Sequence, residues 1–226
     1  MAGGKMILYR KQKIQKVQII KKKKRKNVVL QRPIALKLVT TLRYAEQIKI
    51  RPTLAATAAD YVFSLNGIYD PNITGIGHQP RGYDQIMALY EHYVVLGAKV
   101  TFQWACDDTI TPVTVCLSQR ADNTSVVDVS DIIEFNNVKM QTRGRLCTGP
   151  ATMTMKVNPS KFLGRSKPLA DPQLKGDINN NPEEQSYLHI NTFFTSPTIL
   201  GNGYTIGILT IDYICAFIEP KNVGQS

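Results

Sequence analysis

The sequence has no C-x-x-C pair; its four cysteines stand apart at 106, 116, 147 and 215. That spacing builds neither a zinc ribbon nor a disulfide framework, so the thiols are expected to be reduced members of a core. No uncharged apolar run approaches the roughly 18–20 residues that a membrane-spanning helix needs. The start of the chain, Met1 to Lys13, lacks the apolar segment and small-residue cleavage site of a secretory signal, and none is expected.

Catalytic patterns are missing too. The three histidines, His78, His92 and His189, form no H-x-x-x-H or H-E-x-x-H pair. There is no G-x-S-x-G elbow and no G-x-x-x-x-G-K-[ST] loop. Gly75-Ile76-Gly77-His78-Gln79-Pro80 lacks the third glycine of a dinucleotide fingerprint. Asp107-Asp108, with Asp128 and Asp131, could face a divalent cation, but an aspartate pair at a strand end more often serves the turn itself. The expectation is a protein that is not an enzyme, with no catalytic residues, no metal and no cofactor.

The last absence concerns acid. Residues 1 to 32 contain no Asp or Glu. They hold twelve of the 28 basic residues: Lys5, Arg10, Lys11, Lys13, Lys16, Lys21, Lys22, Lys23, Lys24, Arg25, Lys26 and Arg32. That leaves 16 basic residues against all 17 acidic ones in the remainder, a balance of −1. The chain therefore reads as a disordered basic arm, residues 1–33, ahead of a nearly neutral body, residues 34–226. Six like charges in a row, Lys21 to Lys26, repel one another and resist compact folding.

The twelve cations are expected to bind nucleic acid, because each phosphate they neutralise releases condensed counterions. Lysine meets phosphate as a point charge without the bidentate fork of arginine, and Tyr9 is the arm's one aromatic, so backbone neutralisation rather than base reading is expected. Lys21, Lys22, Lys23, Lys24, Arg25 and Lys26 also match a nuclear-localisation signal, which would make a nuclear import receptor a partner. A solvated tail is the plainer reading. The arm's apolar residues make no clean stripe and include no Trp or Phe, so membrane insertion is not expected.

With 43% hydrophobic residues, the chain is not wholly disordered. Eight segments read as strands: 36–50, 58–65, 93–106, 113–117, 138–146, 151–157, 187–195 and 204–218. Alternation is plain where Val100, Phe102 and Trp104 interleave with Thr101 and Gln103, and where Met153, Met155 and Val157 interleave with Thr152, Thr154 and Lys156. Gly201-Asn202-Gly203 suggests a hairpin between the last two strands. Cys106 and Cys116 could then face one another on neighbouring strands. Helical spacing occurs over Tyr83–His92 and Val129–Phe135, the latter with Ser130 or Asp131 as N-cap. Many strands without a strand–helix rhythm predict an all-β fold: a single jelly-roll β-sandwich of eight antiparallel strands, with a short helix in one loop. Residues 66–82 and 158–186 are long, Gly-, Pro- and Asn-rich loops, expected to contact other subunits. Within the first, the glycines at 75, 77 and 82 permit dihedrals closed to other residues.

The segment Phe63-Ser64-Leu65-Asn66-Gly67-Ile68-Tyr69-Asp70-Pro71 leads into Thr74-Gly75-Ile76-Gly77-His78-Gln79-Pro80-Arg81-Gly82-Tyr83-Asp84-Gln85. With Leu89-Tyr90, Tyr93 to Val100, Lys161-Phe162-Leu163-Gly164 and the Tyr-rich 204–217 strand, it resembles the capsid proteins of small circular single-stranded DNA viruses that encode a replication initiator, the circovirus-type jelly rolls. The resemblance covers most of the chain from about residue 40. The arm differs in being lysine-rich, where arms of that family are often arginine-rich. The resemblance implies a homo-oligomeric shell of T=1 symmetry with sixty copies, a packaged single-stranded DNA genome, and residence in the virion and the host nucleus. Twelve charges on each of sixty arms would supply roughly 720 charges, at one per phosphate, against a genome on the order of a thousand nucleotides. The residues do not identify a host receptor. Lysines meet phosphate alike in DNA and RNA, so the coat of a small satellite-type RNA virus, or a nucleic-acid shuttle protein that never assembles, stays open.

Overall fold

The computed structural model describes residues 34–107, 111–144 and 149–222. Eight strands form two four-stranded antiparallel sheets. They are β1 (Lys37–Ile50), β2 (Ala59–Ser64), β3 (Tyr90–Cys106), β4 (Val113–Arg120), β5 (Lys139–Arg143), β6 (Ala151–Val157), β7 (Tyr187–Phe194) and β8 (Thr205–Pro220). One sheet has the order β1-β8-β3-β6 and the other β2-β7-β4-β5.

The pairings nest. β4 pairs with β5, β3 with β6, β2 with β7 and β1 with β8. The chain is in effect one long hairpin, turned at residues 121–138 and rolled so that successive pairs alternate between the sheets. β3 against β8 and β4 against β7 close each sheet. This is the jelly-roll topology. The strand expectation is met for all eight, and β6 ends where the alternation ends.

Between the sheets lies the main core, including Tyr44, Phe63, Val100, Phe102, Trp104, Leu117, Ile190, Ile211 and Tyr213. Burying an aliphatic or Phe side chain of this kind contributes about 1.5–3 kcal/mol. In β1 the alternation is direct: Leu42, Tyr44, Ile48 and Ile50 point inward, while Arg43, Ala45, Gln47 and Lys49 face out. In β3 a bulge between Val95 and Gly97 inserts Leu96. Core positions are odd-numbered before it (Tyr93, Val95) and even-numbered after it (Ala98, Val100, Phe102, Trp104), because one extra residue reverses the two-residue period.

Several expectations are corrected. The Gly201-Asn202-Gly203 connection is not a hairpin, since β7 and β8 lie in different sheets. Cys106 and Cys116 are not on neighbouring strands, for β3 and β4 are also in different sheets. The helix expected over Tyr83–His92 is only α1 (Tyr83–Met87). From Tyr90 the backbone is taken by the β3–β8 ladder, which begins with Tyr90 opposite Pro220. α2 (Val129–Glu134) is capped by Asp128, whose side chain accepts from Ser130 N at 2.8 Å, not by Ser130 or Asp131. The helical content is more than one short helix: α3 (Pro159–Phe162) and a 3-10 turn (Pro172–Leu174) join α1 and α2. The disorder expected of residues 1–33, and Asp108 and Cys147, lie outside the described residues.

Candidate nucleic-acid interface

All twelve arm residues, Lys5 to Arg32, lie outside the described residues. The body begins at the next step of the chain. Ile34 packs against the main core, and Ala35 O accepts from Tyr90 Oη at 3.0 Å. The start of β1 is thus anchored beside the start of β3.

On the outer face of the β1-β8-β3-β6 sheet, one register row runs Arg43, Asp212, Lys99, Lys156. Arg43 makes a two-pronged ion pair with Asp212, at 2.6 and 3.1 Å. Lys99 and Lys156 are the cations of that row with no carboxylate of their own. Lys49 lies over the Tyr204 ring, 3.7 Å from its centroid.

Lys156 also borders a groove of about 910 Å³ between the edge strands β5 and β6. Lys139, Lys156 and Lys161 line it with Phe162, and no carboxylate does. Lys139 Nζ donates to Thr154 O at 2.6 Å.

The loops 66–82 and 158–186 are not structureless. They brace one another through two asparagines. Asn66 donates to Glu184 O at 2.8 Å and accepts from Ser186 N at 2.9 Å. Asn181 accepts from Tyr69 N and Asp70 N, both at 3.1 Å, and donates to Asp70 O at 2.8 Å. Asn72 ties the first loop to β1 by donating to Glu46 at 2.9 Å and accepting from Gly75 N at 2.8 Å. Tyr44 donates to the same carboxylate, and burial with that hydrogen bond pushes its phenol well above the ordinary range. Of these three glycines, Gly82 uses that freedom with φ +87°, whereas Gly77 is needed for space: a Cβ there would lie 2.6 Å from Asn72 Cβ. The loop tip, Ile76, stands fully in solvent.

The sequence reading missed one site altogether. Residues 121–138, with α2, strap the outer face of the second sheet. Ile132 enters a small core with Ala58, Cys116 and Phe193. Beneath the strap His189 and Asp60 form a wholly buried pair. His189 Nδ1 lies 2.8 Å from Asp60 Oδ2, and Nε2 lies 2.9 Å from Asp122 O. A carbonyl oxygen only accepts, so Nε2 carries the hydrogen directed at Asp122 O, and Nδ1 faces the Asp60 carboxyl group. The one available signal was His189 and Asn191 alternating with Leu188 and Ile190, which reads as a wet strand face until the strap is known to cover it. Completely buried, the pair meets no substrate, and its role is to hold the strap to β7 and β2.

No family model and no curated protein sequence matches the chain. Solved structures do resemble it. The Desmodium yellow mottle tymovirus structure is 15% identical, with TM-score 0.42, over 89% of this chain and 99% of that one. The decameric BFDV capsid protein is 11% identical, with TM-score 0.44, over 80% and 99%. The semi-empty virus-like particle of Macrobrachium rosenbergii nodavirus is 12% identical, with TM-score 0.47, over 86% and 100%. Values this low transfer no function to the chain.

Remaining candidates resolve into structural roles. Asp107 accepts from Tyr204 N and donates its own N–H to Tyr204 O at 3.2 Å, which extends the β3–β8 pairing one step past Cys106. Among the described residues, no three or more His, Cys, Asp or Glu side chains gather to hold a metal, and no helix is long and apolar enough to cross a membrane. Burial pushes the thiols of Cys116 and Cys215 up to about 12, whereas Cys106 is half-buried.

Proposed function

We propose that this chain is a viral coat subunit: its jelly roll tiles a small closed shell, and the lysine arm, residues 1–33, binds the single-stranded genome inside. The observation that carries the reading is the conjunction of a nearly neutral jelly roll with an arm of twelve cations and no acid joined to its first strand. Neutral walls approach one another without strong repulsion, while the arm draws in a polyanion. The Gly-His-Gln-Pro and Asp-Pro blocks favour a circular DNA genome and, by resemblance, a T=1 shell of sixty copies. The enzyme reading has no support in the site chemistry, since the buried His–Asp pair is closed to solvent.

Negative-stain microscopy of purified full-length protein is expected to show uniform closed particles, and DNase rather than RNase is expected to digest the extracted nucleic acid. RNase-sensitive cargo would convert the reading to an RNA-virus coat. Protein that stays monomeric across salt and pH would favour a shuttle protein and overturn the shell. Lys21 to Lys26 are proposed as a nuclear import signal; a reporter carrying that block that fails to enter nuclei rejects its sufficiency.

A further inference from the structure

Two oppositely charged patches lie side by side on the surface without pairing within the chain. One is the groove between β5 and β6, with Lys139, Lys156 and Lys161 beside Phe162, which is 39% exposed. The other is the outward side of α2, where Asp128, Asp131 and Glu134 are exposed together with Ile133, 48% exposed. The turn after α2 runs directly into the groove, because Asn137 and Val138 line it. None of these six charged residues belongs to any of the ion pairs among the described residues. Asp128 caps α2 and Lys139 donates to Thr154 O, but Asp131 and Glu134 on one side and Lys156 and Lys161 on the other are charges without an ion-pair partner beside an exposed apolar side chain, the composition of an interface core with a polar rim.

We infer that this face is a two-fold contact between copies of the chain, in which α2 of each copy seats in the lysine groove of the other. Adjacency is what permits a two-fold axis. In an isologous contact one patch meets itself in reverse, so acid meets base twice only if both charges lie within the same patch. Patches on opposite sides of the molecule would instead make a head-to-tail contact. Phe162 and Ile133 supply the apolar part, and the charges set register and orientation. The inference deepens the coat-subunit reading and rests on it, since it names one of the contacts by which such subunits would associate.

A charge-swap experiment on the full chain tests it. One variant carries Lys156→Glu and Lys161→Glu; the other carries Asp131→Lys and Glu134→Lys. All four side chains are exposed, so circular dichroism should match the parent. Sedimentation velocity and microscopy read self-association. Each variant alone is expected to associate at least roughly tenfold more weakly, because like charges face one another at both contacts. An equimolar mixture is expected to recover, because acidic groove meets basic helix at one contact and acidic helix meets basic groove at the other. The single chain carrying all four changes is expected to recover as well. Two variants that each assemble like the parent overturn this contact while leaving the shell reading standing. A groove variant that loses only binding to a single-stranded oligonucleotide, with the helix variant unaffected, overturns it in favour of a nucleic-acid groove. Loss in each variant without recovery on mixing also overturns it. A parent chain that does not self-associate removes this contact and the shell together.

Discussion

His189 shows how a polar side chain can be held where water cannot reach it. Asp60 on β2 and the Asp122 carbonyl in the strap take its two ring nitrogens, and neighbouring charge is supplied by Arg120, which pairs with the Asp122 carboxylate at 2.8 Å. Removing one partner of a buried pair is far worse than removing both, because the survivor keeps its desolvation penalty without compensation. His189→Ala is expected to cost about 1–3 kcal/mol in urea unfolding, the cost of leaving a buried polar group without its partner, and His189→Ala combined with Asp60→Ala less than the two single losses together. The cysteines give a second check. With thiols pushed up to about 12 by burial, Cys116 and Cys215 are expected to resist a disulfide reagent near pH 8 in the folded protein, while Cys106 reacts, in a Cys147→Ser background. The sign of the pH effect follows. Above the ordinary thiol value of 9.0 the unfolded chain gains by ionising and the folded one does not, so their contribution to stability falls as pH rises from there toward 12.

The braced loops are elements in their own right, although only α3 and one 3-10 turn mark them. Gly176 makes a two-way backbone bond with Tyr93, N to O at 3.0 Å and O to N at 2.9 Å, which stitches the second loop to β3. A Cβ at Gly176 would lie 2.2 Å from the Tyr93 ring, so Gly176→Ala must displace a wholly buried tyrosine. The expected loss is about 1–3 kcal/mol, the usual range for overpacking, read by thermal unfolding. Hydrogen exchange should also rise in residues 66–70, because Tyr93 Oη and Asn181 serve that loop. The brace was not legible in the sequence because asparagine-rich stretches look alike whether their amides meet water or one another. The overlong α1 has a similar origin: Tyr90 and Tyr93 are spaced for a helix face, but a ladder to β8 claims them.

At the level of the molecule, arm and body are separable by charge, and residues 34–226 form one compact unit. Deleting residues 1–32 is expected to leave the body folded, to abolish most binding to single-stranded nucleic acid, and to flatten the salt dependence, whose slope per neutralised phosphate is about −0.7 for single strands. Filter binding across a salt series checks this; an unchanged slope would mean that the body, not the arm, meets the phosphates.

Charge partition and strand positions were legible from the residues because both are local properties. A lysine keeps its charge whatever the fold, and alternation in a strand such as Ala151–Val157 is written into consecutive positions. Pairing is not local. Lys37 meets Ile218 only after the whole hairpin has rolled, and no short-range pattern distinguishes that partner from a nearer one. The buried His189–Asp60 pair, the loop brace and the adjacent acid and lysine patches all depend on where the strap and the sheet edges come to rest, which is set by packing across the two sheets rather than by any segment alone.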